Sequence, residues 1–170
     1  MPYDGSSVET GWRAGGDLVV GFYGEYIHSV DDKGRVIMPS KIRYSLGERF
    51  HMTKGLNKSI CVYTEQKYQE IADDLNRLPF LDPSVTILQR FLTSTETTVD
   101  SQGRVAIPAK LREYAGIKEQ EEVAIVGAGS RVEIWNKKVW DRLNEDLDDD
   151  KIIQAAQAVG FALQATKNDG

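Results

Sequence analysis

The sequence predicts an α+β protein assembled from two copies of one unit. The peptide at residues 30–43, VDDKGRVIMPSKIR, returns at residues 99–112 as VDSQGRVAIPAKLR, identical at 8 of 14 positions. Four of the six differences keep a small or apolar side chain, so chemistry as well as register is preserved. In both copies, strand-like alternation gives way at matching offsets to helical spacing of three and four residues. A hydrophobic content of 41% with 28% charged residues is that of a globular chain. Units of about 70 residues are marginal alone, so the two are expected to share one core.

Each copy reads as strand, turn, strand, short helix, hairpin, longer helix. Residues 25–30 alternate around Tyr26, His28 and Val30; the stretch Asp31, Asp32, Lys33, Gly34 breaks the run, and residues 35–38 resume it. Gly34 and Gly103 stand where a tight turn requires positive φ. Pro39 and Pro108 suit the first position of a short helix, with Ile42 and Leu46 on one face, matched by Leu111 and Ala115; Gly47 and Gly116 close these helices. Strands follow around 50–53 and 59–64, then 122–126 and 131–135, turning at residues 55–58 and 127–130. The glycine-rich second turn resembles a phosphate loop, but it joins two strands and reads as a hairpin. Thr64 and Asn136 are expected N-caps of the longer helices, whose apolar stripes agree: Tyr68, Ile71 and Leu75 against Trp140, Leu143 and Leu147. Asp82 and Pro83 open an additional helix carrying Val85, Leu88 and Leu92, and residues 152–163 suit a last helix. The expected organisation is a flexible extension over 1–21, a first half over 22–80, a linking helix over 81–94, a second half over 95–147 and a tail over 148–170.

No apolar run approaches the roughly 20 residues of a membrane span. Residues 1–21 lack a basic leader and a sustained apolar stretch, and so are not read as a secretory signal. Cys61, the single cysteine, excludes an internal disulfide and a thiolate metal site, suits a reducing cytoplasm and reads as a core filler. The net charge of -5 is unevenly placed. Residues 31–43 and 100–112 each carry +2, whereas residues 141–150 carry -5 and read as a solvated helix face.

An Asp four residues before an Arg, with Gly between them, puts opposite charges across a tight turn. Asp31 and Asp100 can accept backbone N–H groups of the turn or pair with Arg35 and Arg104, whose guanidinium forks suit phosphate or guanine. The alternative from the residues alone is that these pairs only brace a hairpin. His28 and His51 stand without neighbouring ligands in sequence, so no metal site is expected, and no nucleophile–base spacing points to catalysis or to a cofactor.

With the Asp-x-x-x-Arg motif occurring twice and residues 24–35 reading GEYIHSVDDKGR, the sequence resembles the MraZ family of bacterial transcriptional regulators, built from two SpoVT-AbrB-type halves. The resemblance covers about residues 22–146. It implies an AbrB-like swapped-hairpin β-barrel with flanking helices, in which two halves of one chain replace two chains. It also implies a cytoplasmic, nucleoid-associated, ring-like homo-oligomer that binds double-stranded DNA at tandem short boxes upstream of the division and cell-wall gene cluster, its own gene included. No membrane and no small-molecule substrate are implied. Arginines matching Arg35, Arg104, Arg43 and Arg112 contact DNA in such relatives. Lys33, Lys41 and Lys110 then support phosphate contacts, and Asp31, Gly34, Asp100 and Gly103 brace the motif. Where relatives carry a second consecutive arginine after the Arg43 and Arg112 positions, this chain has Tyr44 and Glu113, which weakens contacts from the later part of each short helix. The competing reading is a protein-binding AbrB-like module, an antitoxin or recognition domain.

Overall fold

The structure, a computed structural model, describes residues 11–14 and 17–163. The chain divides into two compact units, residues 1–137 and 138–170. At the start of the first unit, β1 (Gly11–Ala14) and β2 (Asp17–Val20) pair antiparallel. Residues 1–10, 15 and 16 of the expected extension lie outside the described residues, as do residues 164–170 of the expected tail.

From residue 25 onward the first unit follows the anticipated order. The first copy supplies β3 (Glu25–Ser29), β4 (Arg35–Ile37), α1 (Ser40–Leu46), β5 (Arg49–Lys54), β6 (Ile60–Thr64) and α2 (Glu65–Asn76). After α3 (Pro83–Phe91), the second copy supplies β7 (Thr95–Thr98), β8 (Arg104–Ala106), α4 (Ala109–Ala115), β9 (Glu122–Gly127) and β10 (Val132–Asn136). Pro39 and Pro108 sit one residue ahead of the expected place, as N-caps with φ near -52° and -53°. Their carbonyls accept the N–H groups of Arg43 at 2.8 Å and Arg112 at 3.0 Å. The Thr64 hydroxyl caps α2 by accepting from the Lys67 N–H at 3.1 Å.

Strand pairing interleaves the copies. A six-stranded antiparallel sheet runs β3-β9-β10-β6-β5-β7, and β4 pairs with β8 in a separate two-stranded ribbon. Only the hairpins β5–β6 and β9–β10 lie within one copy; the ladders β3–β9, β5–β7, β6–β10 and β4–β8 all join the two. Their registers obey a pseudo-twofold. His28 faces Val123 as Thr97 faces Phe50, and the axis passes through the pairs Val36–Val105 and Cys61–Glu133. The sheet stays open, with β3 and β7 as its edges, so no closed barrel forms among the described residues where the resemblance implied one.

One core serves both copies, as the size of each required. Val36, Met38, Ile42, Phe50, Met52 and Val62 of the first cluster with Val105, Ile107, Leu111, Val123, Ile125 and Ile134 of the second. Burying each such apolar side chain contributes about 1.5–3 kcal/mol. Tyr114 of α4 adds a polar tie across the copies, its hydroxyl donating to the Gly55 carbonyl at 2.6 Å. The glycine-rich turn resembling a phosphate loop has a packing role: a Cβ on Gly127 would strike the backbone of Phe22 and Tyr23. That approach lets Phe22 and Gly129 exchange backbone hydrogen bonds at 2.7 and 3.0 Å.

The helical stripes are covered less fully than their spacing suggests. Tyr68, Ile71 and Leu75 of α2 are half-buried, and in α3 Val85 is buried while Leu88 is exposed. The second unit contains most of α5 (Lys137–Glu145) and all of α6 (Asp149–Ala158), the latter capped by Asp148. Trp140 and Leu143 are half-buried and Leu147 is exposed, and the acidic residues 145–150 are solvated.

Because four ladders need both copies, residues 22–80 expressed alone are expected to aggregate or to lack a cooperative melt by circular dichroism. A monomeric fragment with a sharp transition would overturn the interleaved core. In the full chain, Phe50→Ala is expected to cost about 3–5 kcal/mol in denaturant unfolding.

Candidate nucleic-acid interface

The repeated motif forms the same turn twice, bond for bond. Asp31 N–H donates to the Arg35 carbonyl at 2.8 Å and Gly34 N–H to the Asp31 carbonyl at 3.1 Å; the corresponding distances for Asp100, Arg104 and Gly103 are 2.9 and 3.0 Å. Asp31 Oδ1 accepts the N–H groups of Lys33 at 2.9 Å and Arg35 at 2.8 Å, and Asp100 Oδ1 accepts those of Gln102 and Arg104, both at 2.9 Å. The second carboxylate oxygen accepts from Arg35 Nε, or from Arg104 Nε, at 2.8 Å. These interactions hold both carboxyl groups below the usual 3.8, the backbone N–H of Arg35 or Arg104 being the largest cause and partial desolvation opposing it.

In each turn the carboxylate engages only Nε of its arginine. Among the described residues, no protein partner occupies the two Nη groups of Arg35 or Arg104. The ion pair orients the fork without consuming it, since a guanidinium carries five donors.

Register places these forks together. In the β4–β8 ribbon, Arg35 faces Ala106, Val36 faces Val105 and Ile37 faces Arg104. Strand alternation turns Val36 and Val105 into the core and leaves Arg35, Ile37, Arg104 and Ala106 on the outward face. Arg35 and Arg104 are diagonal neighbours, with a backbone spacing of about 7–8 Å. Ile37, half exposed between them, and Ala106 are in sequence terms only strand residues. Period-two alternation marks them as outward-facing, but the pairing that sets them beside the arginines lies in no local pattern.

The second arginine pair lies over the turns, in exchange. Gly34 and Gly103 have φ of +74° and +79°. A Cβ on Gly34 would lie 2.5 Å from Cζ of Arg112, and one on Gly103 would strike Nη1 of Arg43. Each copy's short helix thus covers the other copy's turn. Arg112 Nε also donates to the Ile107 carbonyl at 3.0 Å. The glycine carbonyls complete the exchange, that of Gly34 accepting from Ile107 N–H and that of Gly103 from Met38 N–H, both at 3.0 Å. Lys33 in its turn, and Lys41 and Lys110 in the first turns of α1 and α4, are exposed. Residues 31–43 and 100–112 together carry +4, so the remainder of a chain of net -5 carries -9.

A family model described as "MraZ protein, putative antitoxin-like" matches this chain twice in tandem, over residues 22–91 and 90–161. The chain belongs to the MraZ family. A transcriptional regulator MraZ of Acetivibrio thermocellus is 46% identical over 127 residues, covering 74% of this chain and 87% of that protein. One from Heliobacterium modesticaldum is 44% identical over 126 residues, covering 73% and 87%, and one from Caldicellulosiruptor bescii is 44% identical over 142 residues, covering 81% and 98%. The two MraZ matches meet within α3, the helix joining the interleaved copies.

The lowered carboxyl values set the sign of an acid dependence. A group whose pKa is depressed by folding stabilises fully above its unfolded value and loses that contribution as pH falls through the folded one. The double variant Asp31→Asn, Asp100→Asn is expected to melt lower than wild type at neutral pH, with the difference shrinking below pH 3.8; a gap constant from pH 7 to 2 would refute the brace. Gly34→Ala, which forces a side chain to positive φ and displaces Arg112, is expected to cost about 1–2 kcal/mol in the same measurement.

Proposed function

We propose that this chain is a DNA-binding transcription regulator whose β4–β8 ribbon enters the major groove. The observation that carries the reading is the pair of braced arginines, with free Nη groups, on the outward face of a two-stranded ribbon. The major groove admits such a ribbon, and an arginine fork matches the O6 and N7 acceptors of guanine. Ile37 and Ala106 supply apolar surface suited to a thymine methyl. Arg43, Arg112, Lys33, Lys41 and Lys110 then face phosphates, of which Gln102 removes one contact by standing where Lys33 stands in the other turn. The names of the MraZ relatives support regulation of transcription, and the interleaved ladders support a single-chain form of two exchanged hairpins.

In this reading the protein is cytoplasmic and nucleoid-associated. It works as a ring-like homo-oligomer that presents many ribbons to tandem short boxes upstream of the division and cell-wall gene cluster and of its own gene. Single contacts are weak and linked ones act at high effective concentration, so occupancy depends steeply on box number. The alternative, a protein-binding or antitoxin-like module, draws on the -9 carried outside the basic segments and on the description of the matching family.

Titration of the full chain against DNA from its own upstream region, carrying one, two or three boxes, tests the reading. Affinity is expected to climb with each box and to fall steeply with salt, because phosphate contacts release condensed counterions. Arg35→Ala is expected to lose about 1–3 kcal/mol per base contact and to relax specificity, with its melting temperature measured alongside. Equal wild-type affinity for all three DNAs would refute the multivalent mechanism, and no salt-sensitive binding to any would favour the protein-binding alternative.

A further inference from the structure

His51, set aside in sequence as isolated, has two carboxylates brought to it by the fold. It lies on β5 directly opposite Glu96 of β7, and Glu65 opens α2. One ring nitrogen of His51 and one carboxylate oxygen from each glutamate lie within 4.8 Å of one another. Among the described residues neither glutamate carboxylate has a hydrogen-bond or ion-pair partner, and both side chains are exposed. From this geometry we propose that His51, Glu65 and Glu96 form a site for one divalent transition-metal ion, of which Zn2+ is the natural probe.

The surroundings of His51 suit that role. Its Nδ1 lies 3.0 Å from the Ser94 hydroxyl, and its ring stacks on Tyr68 with centroids 4.5 Å apart. A metal-bound imidazole is commonly held through its other nitrogen, and this bond leaves Nε2 for the ion. Tyr68 is itself fixed, its hydroxyl donating to the Leu92 carbonyl at 3.0 Å. One nitrogen and two carboxylate oxygens are ligands that zinc accepts, with solvent completing the shell. A tetrahedral ion with bonds of about 2.0–2.2 Å separates its ligand atoms by about 3.3–3.6 Å. The exposed glutamate side chains close the remaining gap by turning about their own bonds.

Duplication supplies an internal control. The pseudo-twofold carries the pair His51–Glu96 onto Ala124–Ile27, and the position of Glu65 at the start of α2 onto Lys137 at the start of α5. Of the two pseudo-equivalent places, one holds all three ligands, His51 and Glu65 from the first copy and Glu96 from the second, and the other holds none. The ion would tie the start of α2 to the β5–β7 ladder, on which α2 otherwise rests through packing and the stacking of Tyr68 on His51.

Calorimetric titration of the full chain with Zn2+, after removal of any purification tag, is expected to give one ion per chain in the micromolar range and a raised melting temperature. Glu65→Gln and Glu96→Gln, both at exposed positions, are expected to weaken binding tenfold or more and to abolish the thermal shift while leaving the metal-free melt unchanged. His51→Gln should do the same to binding, and His28→Gln should leave it intact. Stoichiometry of two, binding no tighter than millimolar, or undiminished affinity in both glutamate variants would overturn the site.

Discussion

The antiparallel pairing of β4 with β8 is the constraint on which the rest of this molecule depends. The ribbon is three residues wide on each side, yet it buries Val36 against Val105 at the centre of the common core. It also fixes the diagonal of Arg35 and Arg104 on the opposite face. The turns leading into it are held from outside their own copy: the glycine carbonyl of each accepts from the other copy's chain, and the other copy's arginine covers it. Stability and the proposed DNA contact are therefore properties of the same six residues seen from two sides.

Much of the candidate site was legible because its determinants are local. Asp31, Gly34 and Arg35 lie within five consecutive positions, and the bonds among them follow from the need for positive φ at Gly34 and from the reach of an Asp side chain. Element order was legible for the same reason, since strand alternation and helical spacing are short-range signals. Which strand pairs with which is a long-range outcome. No window of the sequence says that β3 passes its own copy's hairpin and joins β9, nor that Ile37 comes to stand between two arginines.

The same distinction explains His51. In sequence it is 14 residues from Glu65 and 45 from Glu96, a spacing that belongs to no metal motif; the ligands converge only because β7 crosses between copies to pair with β5. The incompletely covered stripes of α2 and α3 show the converse error. Periodicity reports that a helix has an apolar face, but the burial of Leu88 or Leu75 depends on what lies opposite. Within one chain that surface is only partly occupied.

The pseudo-twofold has a consequence for what a fused pair of copies can do that a pair of separate chains cannot. At a true dyad a residue must face its own duplicate, so an acidic side chain on the axis would meet another acidic side chain directly across the sheet. Here Glu133 lies on the axis and faces Cys61. Its two oxygens are engaged instead by Arg131 at 2.9 Å and by the indole N–H of Trp135 at 3.0 Å, both on its own side. Covalent linkage has released the central position from self-complementarity. The two faces of the molecule are free to acquire different chemistry while the ladders between them keep a common register.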